Sequence, residues 1–140
     1  MLYRLGIVLL AGMATGCMPW PHSLYVAPAV EGVVTHNGVP VQNAEISVST
    51  GNRDEMQKSV TDRDGRFITK PIKILELFVF FPSDPLINYS VTIGTAEKHY
   101  EGLHEFNVGY GPEKISVVCE LSKPVQFQNE EQYCVNNSHD

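Results

Sequence analysis

Positive charge is scarce in this chain: ten Lys and Arg stand against sixteen Asp and Glu in 140 residues, a formal net charge of −6. The basic residues are scattered singly. The basic patch on which phosphate recognition rests is therefore missing, and nucleic-acid binding is excluded. A bilayer-crossing helix needs roughly 20 apolar residues, and the run from Leu5 to Met13, broken by two glycines, falls short of that. Beyond residue 16 no window of a dozen residues carries a helical apolar stripe. Catalytic signatures are missing too. No serine sits in G-x-S-x-G or in a recognisable motif with a histidine. Gly94, Gly102, Gly109 and Gly111 precede no strand-to-helix junction, so they form no phosphate loop. With 43% hydrophobic and 19% charged residues, what remains is the composition of a folded globule.

What is present is period-two alternation. In residues 44–50, Ala44, Ile46 and Val48 alternate with Glu45, Ser47 and Ser49, which predicts a strand with one buried and one wet face. The pattern repeats at 87–93 (Ile87, Tyr89, Val91, Ile93) and at 115–121 (Ile115, Val117, Cys119, Leu121). Further strands are expected at 30–36, 56–62, 66–69 and 74–81. Turn chemistry separates them at Asn37-Gly38, Gly51-Asn52, Asp64-Gly65 and Ser83-Asp84-Pro85. About seven short strands at this spacing predict one all-β domain, an antiparallel β-sandwich in which two half-apolar sheets bury each other. The run at 74–81 is apolar on both faces apart from Glu76. It reads as a central strand or as an edge open to self-association, with Lys73, Glu76 and Pro82 restraining the latter.

The N-terminus has the build of an export signal: Arg4, the short apolar run, then Ala14-Thr15-Gly16-Cys17. These last residues resemble the bacterial lipobox, with Ala14 where that motif usually has Leu. The resemblance implies that residues 1–16 are removed and that Cys17 becomes a diacylglyceryl- and palmitate-type anchored N-terminus, moored to the membrane by its acyl chains. Met18, not Asp, follows the cysteine, which in such lipoproteins favours sorting to the outer membrane, facing the periplasm. Removal of Arg4 alone among the charged residues takes the net charge from −6 to −7. Residues 17–29 are expected to be a Pro-rich tether. Its eleven residues 18–28 would reach about 34 Å at roughly 3.1 Å per residue. Trp20 and Tyr25 are read either as interfacial anchors or as residues packing on the domain. With Cys17 acylated, Cys119 and Cys134 form an even pair in an oxidising compartment and are expected to be bonded. Free thiols or a metal pair are the alternative, although no histidine is spaced to complete a four-ligand site. The sandwich is placed at 30–123, and 124–140 reads as a polar tail tied back by that disulfide.

Residues 30–70 contain Val-Glu-Gly-Val-Val, Asn-Gly-Val-Pro-Val-Gln-Asn-Ala-Glu-Ile-Ser-Val and Val-Thr-Asp-Arg-Asp-Gly-Arg-Phe. This resembles the carboxypeptidase regulatory-like domain of the transthyretin-like sandwich superfamily. In that pattern Gly32 leaves space where a strand crosses the core, and Gly38 and Pro40 lead the chain into the next strand. Asp62, Asp64 and Gly65 make a hairpin turn, and Phe67 plugs the core. Beyond Lys70 the family's Pro-Gly-x-Tyr segment is absent, which leaves the later strand order open. The resemblance implies a non-catalytic module, because the superfamily's hydroxyisourate hydrolases end in Tyr-Arg-Gly-Ser whereas this chain ends Asn-Asn-Ser-His-Asp.

Residual chemistry is confined to two places. The D-x-D-G fragment at Asp62 to Gly65 lacks the later acidic ligand of a calcium loop and reads as a turn. His99, Glu101, His104 and Glu105 could form a metal site or an acid/base pair. On a regular strand, however, His99, Glu101 and Glu105 share one face while His104 points away, so solvated surface is expected. No catalytic residue, metal or cofactor is assigned. The function expected is a lipid-anchored envelope protein that binds or scaffolds a protein partner, with loops at 51–55 and 96–111 as contact surfaces. The alternatives are an inhibitor or immunity protein against an envelope-targeting enzyme, and a metal-dependent hydrolase using the 99–105 cluster.

Overall fold

The computed structural model describes residues 21–51, 53–76 and 84–138. Cys17, Trp20, the signal segment and the apolar residues Leu77 to Phe81 lie outside them. Among the described residues there is no helix, and so none long and apolar enough to cross a membrane. The chain forms strands β1 (His22–Ala27), β2 (Ala29–His36), β3 (Val39–Pro40), β4 (Glu45–Thr50), β5 (Arg53–Val60), β6 (Arg66–Ile68) and β7 (Ile72–Glu76). They continue with β8 (Leu86–Gly94), β9 (His99–Val108), β10 (Lys114–Glu120), β11 (Val125–Phe127), β12 (Glu130–Gln132) and β13 (Cys134–Asn136).

Two sheets make a β-sandwich. One has the order β5-β4-β8-β9; the other runs β13-β10-β2-β3, with β6 also pairing β2. Their inner faces are the alternating positions expected from the sequence. Ile46, Val48, Tyr89, Val91 and Ile93 of the first sheet meet Val30, Val34, Phe67, Ile115 and Val117 of the second in one buried cluster. Gly32 is required here because a Cβ would lie 2.3 Å from the Val117 carbonyl oxygen and 3.2 Å from the Phe67 ring. Its absent side chain lets Val117, directly across the ladder, fill the core.

Several expectations need correction. The sandwich is not wholly antiparallel: β2 and β10 run parallel through seven paired positions, from Ala29 opposite Lys114 to Thr35 opposite Glu120. Residues 22–27 are not tether. They form β1, antiparallel to β7, and bury Leu24 and Ala27 in the core. Tyr25 packs on the domain, its hydroxyl donating to Glu113 Oε1 at 2.8 Å and its ring lying under Lys73 Nζ at 4.6 Å. The expected loops at 51–55 and 96–111 belong mostly to β5 and β9. Residues 134–136 complete a main sheet as β13 beside β10, so the domain extends past residue 123. Of the expected strand 74–81, the described part belongs to β7.

The Asp62–Gly65 turn is also not a hairpin, since β5 before it and β6 after it lie in different sheets. It is a corner between sheets. Asp62 Oδ1 accepts from the amides of Asp64 and Arg66, both at 2.9 Å, and Gly65 sits at φ 72°. A Cβ on Gly65 would meet the Val34 carbonyl oxygen at 2.4 Å. Asn37-Gly38, expected as a turn, makes a two-residue hairpin between β2 and β3, with both φ positive (52° and 76°) and Pro40 opposite Thr35.

Candidate binding surface

The cysteines expected to pair do so: Cys119 and Cys134 stand directly opposite each other on β10 and β13 and are bonded, Sγ to Sγ 2.03 Å. The bond is buried and lies against β9, where Gly102 approaches so closely that a Cβ would come within 2.9 Å of Cys134 Sγ. Gly102 is the extra residue of a β-bulge, because Glu101 pairs Thr92 while Leu103 pairs Val91. The bulge reverses the facing of everything after it. His99, Glu101 and His104 therefore all lie on the exposed outer face, and Glu105 turns inward beside the buried Tyr89. That corrects the expectation that Glu105 would share a face with His99 and Glu101. Burial pushes the Tyr89 phenol well above its ordinary pKa, and the Glu105 charge adds to this. Among the described residues no group of three or more His, Cys, Asp or Glu is placed to hold a metal.

Beside β9, the hairpin of β11 and β12 stands apart from both sheets and closes one wall of a groove of about 390 Å³. Asn88, His104 and Phe106 form one wall; Phe127, Glu130 and the buried Gln132 form the other. His104 Nε2 donates to Asn88 Oδ1 at 2.7 Å, so the imidazole is held at the rim. Two half-exposed phenylalanines, an amide and a carboxylate can stack an apolar face and hydrogen-bond its polar edge, the mixture that binding surfaces use. Phe127 and Glu130 carry no strand or motif signal that would have linked them to His104, and only the positioning of the hairpin brings them together.

Glu120, also missed in the sequence, organises the region from which that hairpin leaves the sandwich, its amide donating to the Tyr133 carbonyl at 2.9 Å. Its carboxylate accepts from the amides of Asn37 (2.8 Å), Gly38 (3.0 Å) and Ser122 (3.0 Å) and from the hydroxyls of Ser122 and Thr35. The Ser122 hydrogen bonds above all, and then those to Gly38 and Asn37, hold its pKa far below the usual 4.5. Thr61 and Thr69 do similar work inside the fold, accepting from the amides of Ala44 (2.9 Å) and Val30 (3.0 Å).

Fold and site together define a disulfide-linked, all-β sandwich with an aromatic-edged groove. Within that class, residues 30–124 match the family described as Domain of unknown function (DUF6795), and the chain belongs to that family. The matched range holds β2, apart from its first residue Ala29, through β10 and ends before Cys134. No curated protein and no solved structure matches the chain.

Proposed function

We propose that this protein is a lipoprotein of the cell envelope, anchored in the outer membrane through acylated Cys17, which works as a non-catalytic binding or scaffolding module. The observation that carries this reading is the short apolar N-terminal run ending in Ala14-Thr15-Gly16-Cys17. The Cys119–Cys134 disulfide supports it, since such bonds persist in exported proteins. The likeness of residues 30–70 to carboxypeptidase regulatory-like domains supports a binding rather than a catalytic role. The groove between β9 and the β11–β12 hairpin is the surface such a partner would use. Mass spectrometry of the envelope-purified protein is expected to show an N-terminus at Cys17 with added acyl mass; a different first residue with no acyl mass refutes the anchor. Crosslinking from the groove is expected to capture an envelope protein, and Phe127→Ala to reduce the yield.

A second reading, an inhibitor or immunity protein, draws on the same hairpin. It presents Phe127, about half exposed, on a short two-stranded ribbon of the kind that can enter another protein's cleft. A captured partner with hydrolytic activity that is blocked by the purified protein would favour it.

A further inference from the structure

β1 begins at His22, five residues after Cys17. A fully extended chain covers at most about 3.6 Å per residue, so those five residues reach no more than about 18 Å. That is half of what a tether through residue 28 would allow. If Cys17 is acylated, the end of the sandwich where β1 starts is held against the bilayer.

That end carries a distinctive surface. Leu86 at the start of β8 pairs with Val108 at the end of β9, and the two are 60% and 65% exposed on the same outer face. Phe106, 61% exposed, lies on that face two residues before Val108 in β9. Tyr110, 66% exposed, follows Val108 and lies edge-on to the His22 ring at 6.0 Å, which ties the patch directly to the first residue of β1. Gly109, at φ 94°, turns the chain there, with its amide donating to the Pro85 carbonyl at 2.9 Å. Aliphatic side chains flanked by a tyrosine make the composition of a surface that sits at a lipid interface. Exposed apolar residues elsewhere, such as Val118 and Val135, stand on a face framed by the Glu31–Lys114 ion pair.

We propose that Leu86, Val108 and Tyr110 form a membrane-docking surface, by which the anchored domain lies with this end against the bilayer rather than swinging free. The inference rests on the lipoprotein reading above. Glu76 lines a cavity together with Leu86, Asp84 precedes Leu86 by two residues and the whole chain is acidic, so apolar contact and not charge attraction drives the docking. Zwitterionic bilayers are the occupant it fits.

The test uses the full, acylated chain in vesicles of phosphatidylethanolamine and phosphatidylcholine with brominated acyl chains. Trp20, the single tryptophan, is replaced by Phe, and a reporter is added by Tyr110→Trp or, at the opposite end, by Val39→Trp. Val108→Trp serves if the first reporter does not fold. Emission from the Tyr110→Trp protein is expected to fall at least twofold relative to unbrominated vesicles, and that of the Val39→Trp protein to stay unchanged. Adding Leu86→Lys and Val108→Lys should abolish the difference, and adding phosphatidylglycerol should weaken it. If acyl mass is present but the two reporters behave alike, the docking surface is overturned and the anchor stands. If no acyl mass is found, both fall together. A detergent-solubilised dimer that Leu86→Lys dissociates, with no quenching in vesicles, assigns the patch to a second copy and likewise overturns the proposal.

Discussion

The two ends of the sandwich are built in opposite ways. At the Glu120 end polar ties predominate, although Val39 there is 65% exposed. One carboxylate holds the Asn37-Gly38 turn and Ser122, the disulfide joins β10 to β13, and Lys98 lies 4.4 Å from the Tyr100 ring, which packs edge-on against Tyr133 at 5.0 Å. At the His22 end, among the described residues, Leu86, Val108 and Tyr110 are all well over half exposed, and the polar ties there are the His22–Glu76 contact at 3.4 Å and the Tyr25–Glu113 hydrogen bond. The difference teaches that polar ties gather at one end and exposed apolar area at the other, while the groove's hairpin is rooted beside Ser122 and Tyr133 at the tied end. The tied end closes the fold against solvent, and the His22 end leaves apolar area unused by the core. Exposed patches of that kind on a folded domain mark interaction surfaces.

Four changes break or sharpen this contrast. The largest effect is expected from removing the disulfide with Cys119→Ala and Cys134→Ala. Closing a loop with a sequence separation of 15 contributes about 3 kcal/mol on the chain-entropy model, so thermal unfolding should come on the order of 10 °C lower. A melting point unchanged by the double substitution would show that the tied end does not depend on the bond. Next, Gly102→Ala should cost about 1–3 kcal/mol by overpacking, because the added methyl would press on the Val91 carbonyl at 2.8 Å and on Cys134 Sγ. Chemical denaturation measures that loss, and its absence would mean the bulge can relax.

The third is a pH dependence. The Glu120 pKa is depressed in the folded state, so its contribution is present above the ordinary 4.5 and is lost as pH falls below it. Wild-type protein should therefore lose stability on acidification from about pH 5 downward. Glu120→Gln should be less stable at neutral pH and show a flatter acid limb, read from urea midpoints across the pH series. Parallel acid limbs for the two proteins would remove Glu120 as the organising group. The smallest effect is expected at the other end: Leu86→Lys and Val108→Lys should each change stability by less than about 0.5 kcal/mol. A large loss of stability there would mean the patch belongs to the core after all.

Much of the sandwich was readable in the residue order. Alternation placed β4, β8 and β10 on their correct faces, because a strand's side chains alternate by geometry alone and half-burial writes that alternation into the composition. Asn37-Gly38 specified its own hairpin through the backbone angles those two residues tolerate, and the cysteine count identified the disulfide. The binding surface was far less legible. Gly102 carries no mark that it is a bulge, so the facing of His104 and Glu105 was assigned one position out. Phe127 and Glu130 reach the groove only through the placement of a hairpin.

Local chemistry is thus inscribed in neighbouring residues: which positions are apolar, where the chain turns and which thiols are available. Long-range pairing is not. The parallel ladder of β2 and β10, the corner at Asp62–Gly65 and the recruitment of residues 22–27 into the sandwich arise from which edges and core spaces are left when the sheets meet. Those vacancies exist in the packed molecule and in no stretch of the chain.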